Sequence, residues 1–216
     1  MTIKGTVDKT ALSLVLLILC AYYSFSPDMT QMIYIGSIGG FIVAVLTIIR
    51  KEWAPFTVPI YAILEGLFLG SISYLYDLQY EGIVLQAVSL TIFVLFSMLF
   101  AYRFKIIRPT ENFKLAVFSA ISGIALLYVI NFIMSFFGPG IYLLSPNNSS
   151  IISIGFSVFV VAVGAFSLVI DFDFIEEGSE KGAPKYMEWY GAFGLLVTLI
   201  WLYLEILRLL SKLKNR

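Results

Sequence analysis

The chain has 216 residues, 60% of them hydrophobic and only 13% charged, against about 25% charged residues in soluble domains; with a mean hydropathy of +0.93 this is the composition of an integral membrane protein. Lys and Arg number 14, as do Asp and Glu, so bulk charge points to no nucleic acid and no strongly anionic partner, and the partners it implies are membrane lipid and whatever crosses it. Histidine is absent, which excludes His-based metal sites, Ser-His and Cys-His nucleophiles and His-Glu-x-x-His proteases, and the single Cys20 forms no intrachain disulfide.

A bilayer-spanning helix needs about 20 mostly apolar residues. Seven such runs lie near 11–26, 32–49, 54–76, 82–102, 113–137, 151–174 and 189–210, and together they predict one transmembrane domain over 1–216. The first follows Lys4 and Lys9 as a signal peptide would, but no small-x-small cleavage site follows it, so it reads as a retained helix. The separators "SPDMTQ", "RKEW", "YDLQYEG", "RFKIIRPTEN" and "GPGIYLLSPNNSS" carry turn chemistry, and none is large enough for a soluble domain. Pro184 suits a first helical position, which extends the seventh helix to 184–212, with Trp189 at the membrane interface.

Lysine and arginine mark cytoplasmic loops. Lys4 and Lys9, Arg50 and Lys51, then Arg103, Lys105, Arg108 and Lys114, then Lys181 and Lys185 fall on alternate ends of the runs, which places the amino terminus in the cytoplasm. Seven crossings then put Arg208, Lys212, Lys214 and Arg216 outside, whereas four basic residues in the tail favour a cytoplasmic carboxyl terminus. Either the last run does not cross fully or an earlier one does not.

Charged side chains at the centre of a membrane helix cost roughly 2.5 to 3.5 kcal/mol on insertion, which makes Glu65, Asp171 and Glu205 functional candidates. Asp171 and Asp173 are about 200° apart on a helix, so only one of them faces the bundle. Behind Asp171 at helical spacing stand Ser167, Gly164, Val160 and Ser157, a stripe of mostly small residues that admits another helix; Asp171 is therefore the inward acid and Asp173 belongs to the cytoplasmic mouth. Behind Glu205 stand Trp201, Thr198, Gly194 and Gly191, and Glu65 lies beside the Gly66 and Gly70 pair. The blander readings make Asp171 and Asp173 the start of an interfacial cap with Glu176, Glu177 and Glu180, Glu205 a structural partner of Arg208, Glu65 a packing acid, Asn131 an interhelical hydrogen-bond donor, and the Tyr and Trp residues near run ends, such as Tyr22, Tyr23, Trp53, Tyr74, Tyr76 and Trp189, interface anchors.

The segments "YAILEGLFLGSISYLY" and "DFDFIEEGSEKGAPKYMEWYGAFGLLVTLIWLYLEILRLL" resemble the Bax inhibitor-1 family in its bacterial branch. The resemblance implies an all-α membrane protein of seven transmembrane helices, the last surrounded by the other six, in the bacterial inner membrane. It also implies a pH-sensitive calcium leak rather than an enzyme, without a cofactor, whose proton-sensing pair falls on Asp171 and Glu205. Glu205 stands where the family has aspartate. Arg50, or Lys51 in a looser register, corresponds to an arginine that bridges to Asp171 in a closed form, while Asp173 and Glu65 are candidates for the ion path or its mouth, and calcium is the ion that Asp171 and Glu205 would pass. Two carboxylates in a poorly solvated site do not readily both ionise, so the pair shares a proton. A plain antiparallel hairpin would put Asp171 about 9 Å and Glu205 about 26 Å from the connecting loop at 1.5 Å per residue; they meet only if the last helix starts near Pro184 or unwinds around Gly191 to Gly194. The rival readings are a proton-coupled cation antiporter and a non-transporting modulator of a membrane protease or channel. An aspartyl intramembrane protease lacks its Gly-x-Gly-Asp element here.

Overall fold

The computed structural model describes residues 1–216 as seven helices with no strand: α1 Ile3–Ser24, α2 Met32–Ile49, α3 Ala54–Gln79, α4 Ile83–Arg103, α5 Glu111–Ser135, α6 Ile151–Glu180 and α7 Met187–Lys214. Every expected run forms one helix, and the differences lie at the ends. α1 begins before its apolar run because the Thr2 hydroxyl accepts from the Gly5 N–H at 3.0 Å, a side-chain cap that lets the polar stretch from Lys4 to Thr10 wind. α6 runs on to Glu180, past both aspartates. α7 starts at Met187, later than Pro184, whose carbonyl accepts from the Met187 N–H at 3.0 Å in the turn before the helix. Six helices, α2 to α7, are long and apolar enough to cross a membrane, and α7 is the most buried of them. α1, with Lys4, Asp8 and Lys9 in its first turns, is not among the six.

The chain divides into two compact units, Met1–Glu81 with Asp171–Ile200, and Gly82–Ile170 with Trp201–Arg216; α6 and α7 each contribute to both. In the first unit α1 and α2 pack on α3. Lipid offers apolar side chains as good a solvent as a neighbouring helix does, so association in a membrane rests on close packing and hydrogen bonds. The contacts show this: a Cβ on Gly66 would collide with the Leu17 carbonyl, and one on Gly70 with the Ala21 carbonyl and the Ser24 hydroxyl. On the other flank a Cβ on Gly36 would come 2.6 Å from the Leu64 carbonyl oxygen, and the Thr47 and Thr57 hydroxyls bond at 2.8 Å. The start of α1 is tied to the α6–α7 connection. The Met1 amino group donates to the Ala183 carbonyl, and Glu188 accepts from the Thr2 N–H at 3.0 Å and pairs with Lys9. Lys51 lies 5.1 Å over the Tyr190 ring, so Lys9, Lys51 and the loop carrying Lys181 and Lys185 gather at one end of this unit, as the alternation of basic residues requires.

In the second unit Ile124, Val160 and Val163 form a buried cluster, with Tyr128 and Trp201 against it. The α5–α6 loop is held by its own polar groups. Asn131 accepts from the Ile141 N–H at 2.7 Å beside Gly140, whose φ of +70° suits glycine; Asn131 therefore caps a loop instead of donating between helices. Asn148 donates to the Tyr142 carbonyl at 3.1 Å. The end of α7 joins this loop, with the Asn215 amide donating to the Pro146 carbonyl at 3.3 Å. The tail thus lies at the far end of α5 from the Arg103–Arg108 loop, which corrects the expectation that the two share a side.

Gly70→Ala should lower the thermal midpoint in detergent by the equivalent of about 1–3 kcal/mol, the usual cost of overpacking. Gly123→Ala, with nothing within 4 Å of the added methyl, should leave the midpoint unchanged or raise it, since Ala is favoured over Gly in a helix by about 1 kcal/mol.

Candidate functional site

Helix α6 meets α7 through its small and polar residues, and the register is antiparallel within each unit. In the first unit the Asp171 Oδ2 accepts from the Thr198 hydroxyl at 2.6 Å. A Cβ on Gly194 would lie 3.3 Å from Asp171 Oδ1, and one on Gly191 would lie 3.1 Å from Ile175. In the second unit a Cβ on Gly164 would lie 3.2 Å from Leu202, and Ser157 accepts from Lys212 at 2.9 Å. Asp171 faces inward as its stripe indicated, and the stripe Gly191, Gly194 and Thr198 receives it. The residue opposite Asp171 is Thr198, two turns before Glu205 along α7.

Glu205 is 2% exposed and closes a triad with residues of its own unit. Its carboxylate accepts from the Tyr128 hydroxyl at 2.7 Å and from Arg208 Nη1 at 2.7 and 2.9 Å. The same guanidinium donates to the Tyr128 oxygen at 2.8 Å and stacks 5.3 Å over its ring. A buried carboxylate with a cation and a hydroxyl in hydrogen-bond range is compensated on both counts, which gives the pairing with Arg208 its geometry. Each of the two acids therefore makes its hydrogen bonds inside its own unit.

Arg50 does not bridge to Asp171 here. It ends α2 as an exposed side chain with its guanidinium 5.9 Å over the Trp53 ring, and the Asp171 carboxylate takes a hydroxyl in place of a cation. Lys51, the alternative, lies over Tyr190. Glu65 is 9% exposed and presses against α2, where a Cβ on Gly40 would collide with its carboxylate. Asp173 is half-buried. No three carboxylate or thiol side chains are grouped so as to hold a metal ion.

Tyr128 and Lys212 escaped the reading of the sequence. Tyr128 lies within α5, away from the run ends whose tyrosines read as interface anchors, and that distance from the helix ends is the signal that could have found it. Lys212 was counted as tail charge, although it follows Glu205 and Arg208 at helical spacing, which places the three on one face. The chain's neutral total also hides an imbalance. The second unit holds eight basic residues and only two acids, Glu111 and Glu205, so the other acids all fall in the first.

Helices long enough to span a membrane, joined through small-residue stripes and carrying buried carboxylates, define a multi-pass integral membrane protein. The sequence matches the Bax inhibitor 1 like family over residues 1–215, and the chain belongs to that family. The match takes in the first two helices, which lie outside the two segments that carry the resemblance. No curated protein and no solved structure matches the chain.

Arg208→Gln leaves Glu205 buried without its cation and should destabilise the protein by about 3 kcal/mol. The double variant Arg208→Gln with Glu205→Gln should recover most of that loss, and a double-variant loss equal to the sum of the two single losses would show the residues uncoupled.

Proposed function

We propose that the chain is a proton-regulated cation leak of a bacterial inner membrane, with calcium as the ion and Asp171 and Glu205 as the proton-sensing acids. The observation that supports this reading is the setting of Asp171. Its carboxylate sits between two helices, bonded to the Thr198 hydroxyl and flanked by Gly194, with no cation in its place. Ionised, Asp171 can only accept; protonated, it can donate, while a threonine hydroxyl can serve either role. Proton binding therefore changes the bond that joins α6 to α7 without changing the residues, a local charge change acting on helix packing. Glu205 is the second acid, and release of its carboxylate by Arg208 is the step that frees it to take up a proton. Calcium prefers oxygen ligands, and carboxylates that are not gathered into a three-ligand cluster suit passage better than retention. Asp173 and Glu65 contribute to the path.

The test is calcium flux from liposomes as a function of pH. Asp171→Asn and Glu205→Gln should each flatten the profile, and Asp173→Asn should leave it nearly intact. The reverse pattern, with Asp173→Asn alone flattening it, sinks the assignment. Flux that strictly requires an imposed proton gradient identifies an antiporter, and absence of flux together with co-purification of a membrane protease identifies a modulator.

A further inference from the structure

Lys212 is 0% exposed and is the largest fully buried side chain in the protein. Its ammonium donates to the Ser157 hydroxyl at 2.9 Å, the Leu143 carbonyl at 3.1 Å and the Ser153 carbonyl at 3.4 Å. An ammonium has three N–H donors, and three oxygens meet them. All three are neutral. The charged neighbours on its own helix, Glu205 and Arg208, are bonded to each other and to Tyr128. Glu111, the other acid of this unit, lies near Lys114 at the opposite end of α5. A buried cation surrounded by carbonyl and hydroxyl oxygens, with no carboxylate among them, is the chemistry of a small-cation site.

The oxygens are positioned by the loop and by α6, independently of the lysine. Leu143 sits in a single 3-10 turn, Tyr142–Leu144, and its carbonyl also accepts from the Ser153 hydroxyl at 2.8 Å. The Ser153 N–H bonds to Ser150 at 3.3 Å, and the Ser150 N–H to Asn148 at 3.0 Å. Ser153 and Ser157 stand one turn apart on α6, on the face that meets α7.

We propose that the oxygens of Leu143, Ser153 and Ser157 form a monovalent-cation site, which Lys212 fills as a tethered cation. Neutral carbonyl and hydroxyl oxygens replace the hydration shell of potassium-sized ions, whereas calcium and magnesium sites draw on carboxylates. The ammonium group and potassium are alike in charge and close in size. While α7 keeps its end on the loop, the site is closed to free ions; withdrawal of Lys212 opens it to potassium or ammonium. The proposal is independent of the leak reading, because it concerns equilibrium binding at one place.

Lys212→Met keeps the length of the side chain and removes the charge. Thermal midpoints in detergent, measured at equal ionic strength in potassium, rubidium, ammonium, calcium and N-methylglucamine chlorides, provide the readout. For the unaltered protein the midpoint should be the same in potassium and N-methylglucamine. Lys212→Met should melt several degrees lower in N-methylglucamine and recover saturably in potassium, rubidium or ammonium, with little recovery in calcium. Adding Ser157→Ala to it should abolish that recovery. A Lys212→Met midpoint that does not distinguish potassium from N-methylglucamine overturns the proposal. Should that variant fail to fold, Ser157→Ala alone, which keeps the ammonium and removes one oxygen, should lower the midpoint by a few degrees in every salt; an unchanged midpoint overturns the proposal equally.

Discussion

A polar side chain on a membrane-spanning helix has no water to bond with, so the protein itself must supply its partners. Helix α7 carries Thr198, Glu205, Arg208 and Lys212, and this requirement fixes what lies against it. Asp171 meets Thr198 in the first unit; Tyr128 meets the Glu205 and Arg208 pair in the second, and loop and α6 oxygens meet Lys212. Apolar residues cannot set a helix register in lipid, because they are satisfied in any rotation. The hydrogen bonds of these four side chains can, and Gly164 on α6 with Gly191 and Gly194 on α7 lets the two helices approach closely.

The balance of charge has a second aspect. Acids concentrate in Met1–Glu81 and Asp171–Ile200, while basic residues dominate Gly82–Ile170 and Trp201–Arg216. Each unit therefore has its own electrostatic character, which a single net charge of zero does not convey. The acid-rich unit carries Glu176, Glu177 and Glu180 along the end of α6, a local field that favours cations. The base-rich unit binds part of its charge internally, since Arg208 is paired and Lys212 is enclosed.

The helices were legible in the sequence because a membrane demands long apolar runs and leaves turn residues between them. Helix ends were less so. The Thr2 cap that starts α1 and the turn that delays α7 beyond Pro184 depend on single hydrogen bonds, which hydropathy does not register. At the candidate site, helical spacing correctly oriented Asp171 and picked out the Gly191, Gly194 and Thr198 stripe that receives it. It could not show that Thr198 is the residue opposite, because the register between two helices is a tertiary property. Arg50 was aligned through the resemblance, and its stacking on Trp53 is a local interaction invisible to an alignment. The rule that placed basic residues in the cytoplasm counted Arg208 and Lys212 as free tail charges. Both are satisfied within the protein, so they report on packing and not on the membrane surface.

The Leu143 carbonyl accepts from Ser153, which is near in sequence, and from Lys212, which is 69 positions further on. Synthesis delivers α5, the loop and α6 well before the end of α7. During that interval the loop carbonyls lack their last donor, and buried backbone oxygens are not left unpaired in a finished fold. The loop's own bonds set its shape, and the distant end of α7 adds the last donors to its carbonyls. The order of the chain therefore lets the bond from Ser153 form first and leaves the bond from α7 to be made last.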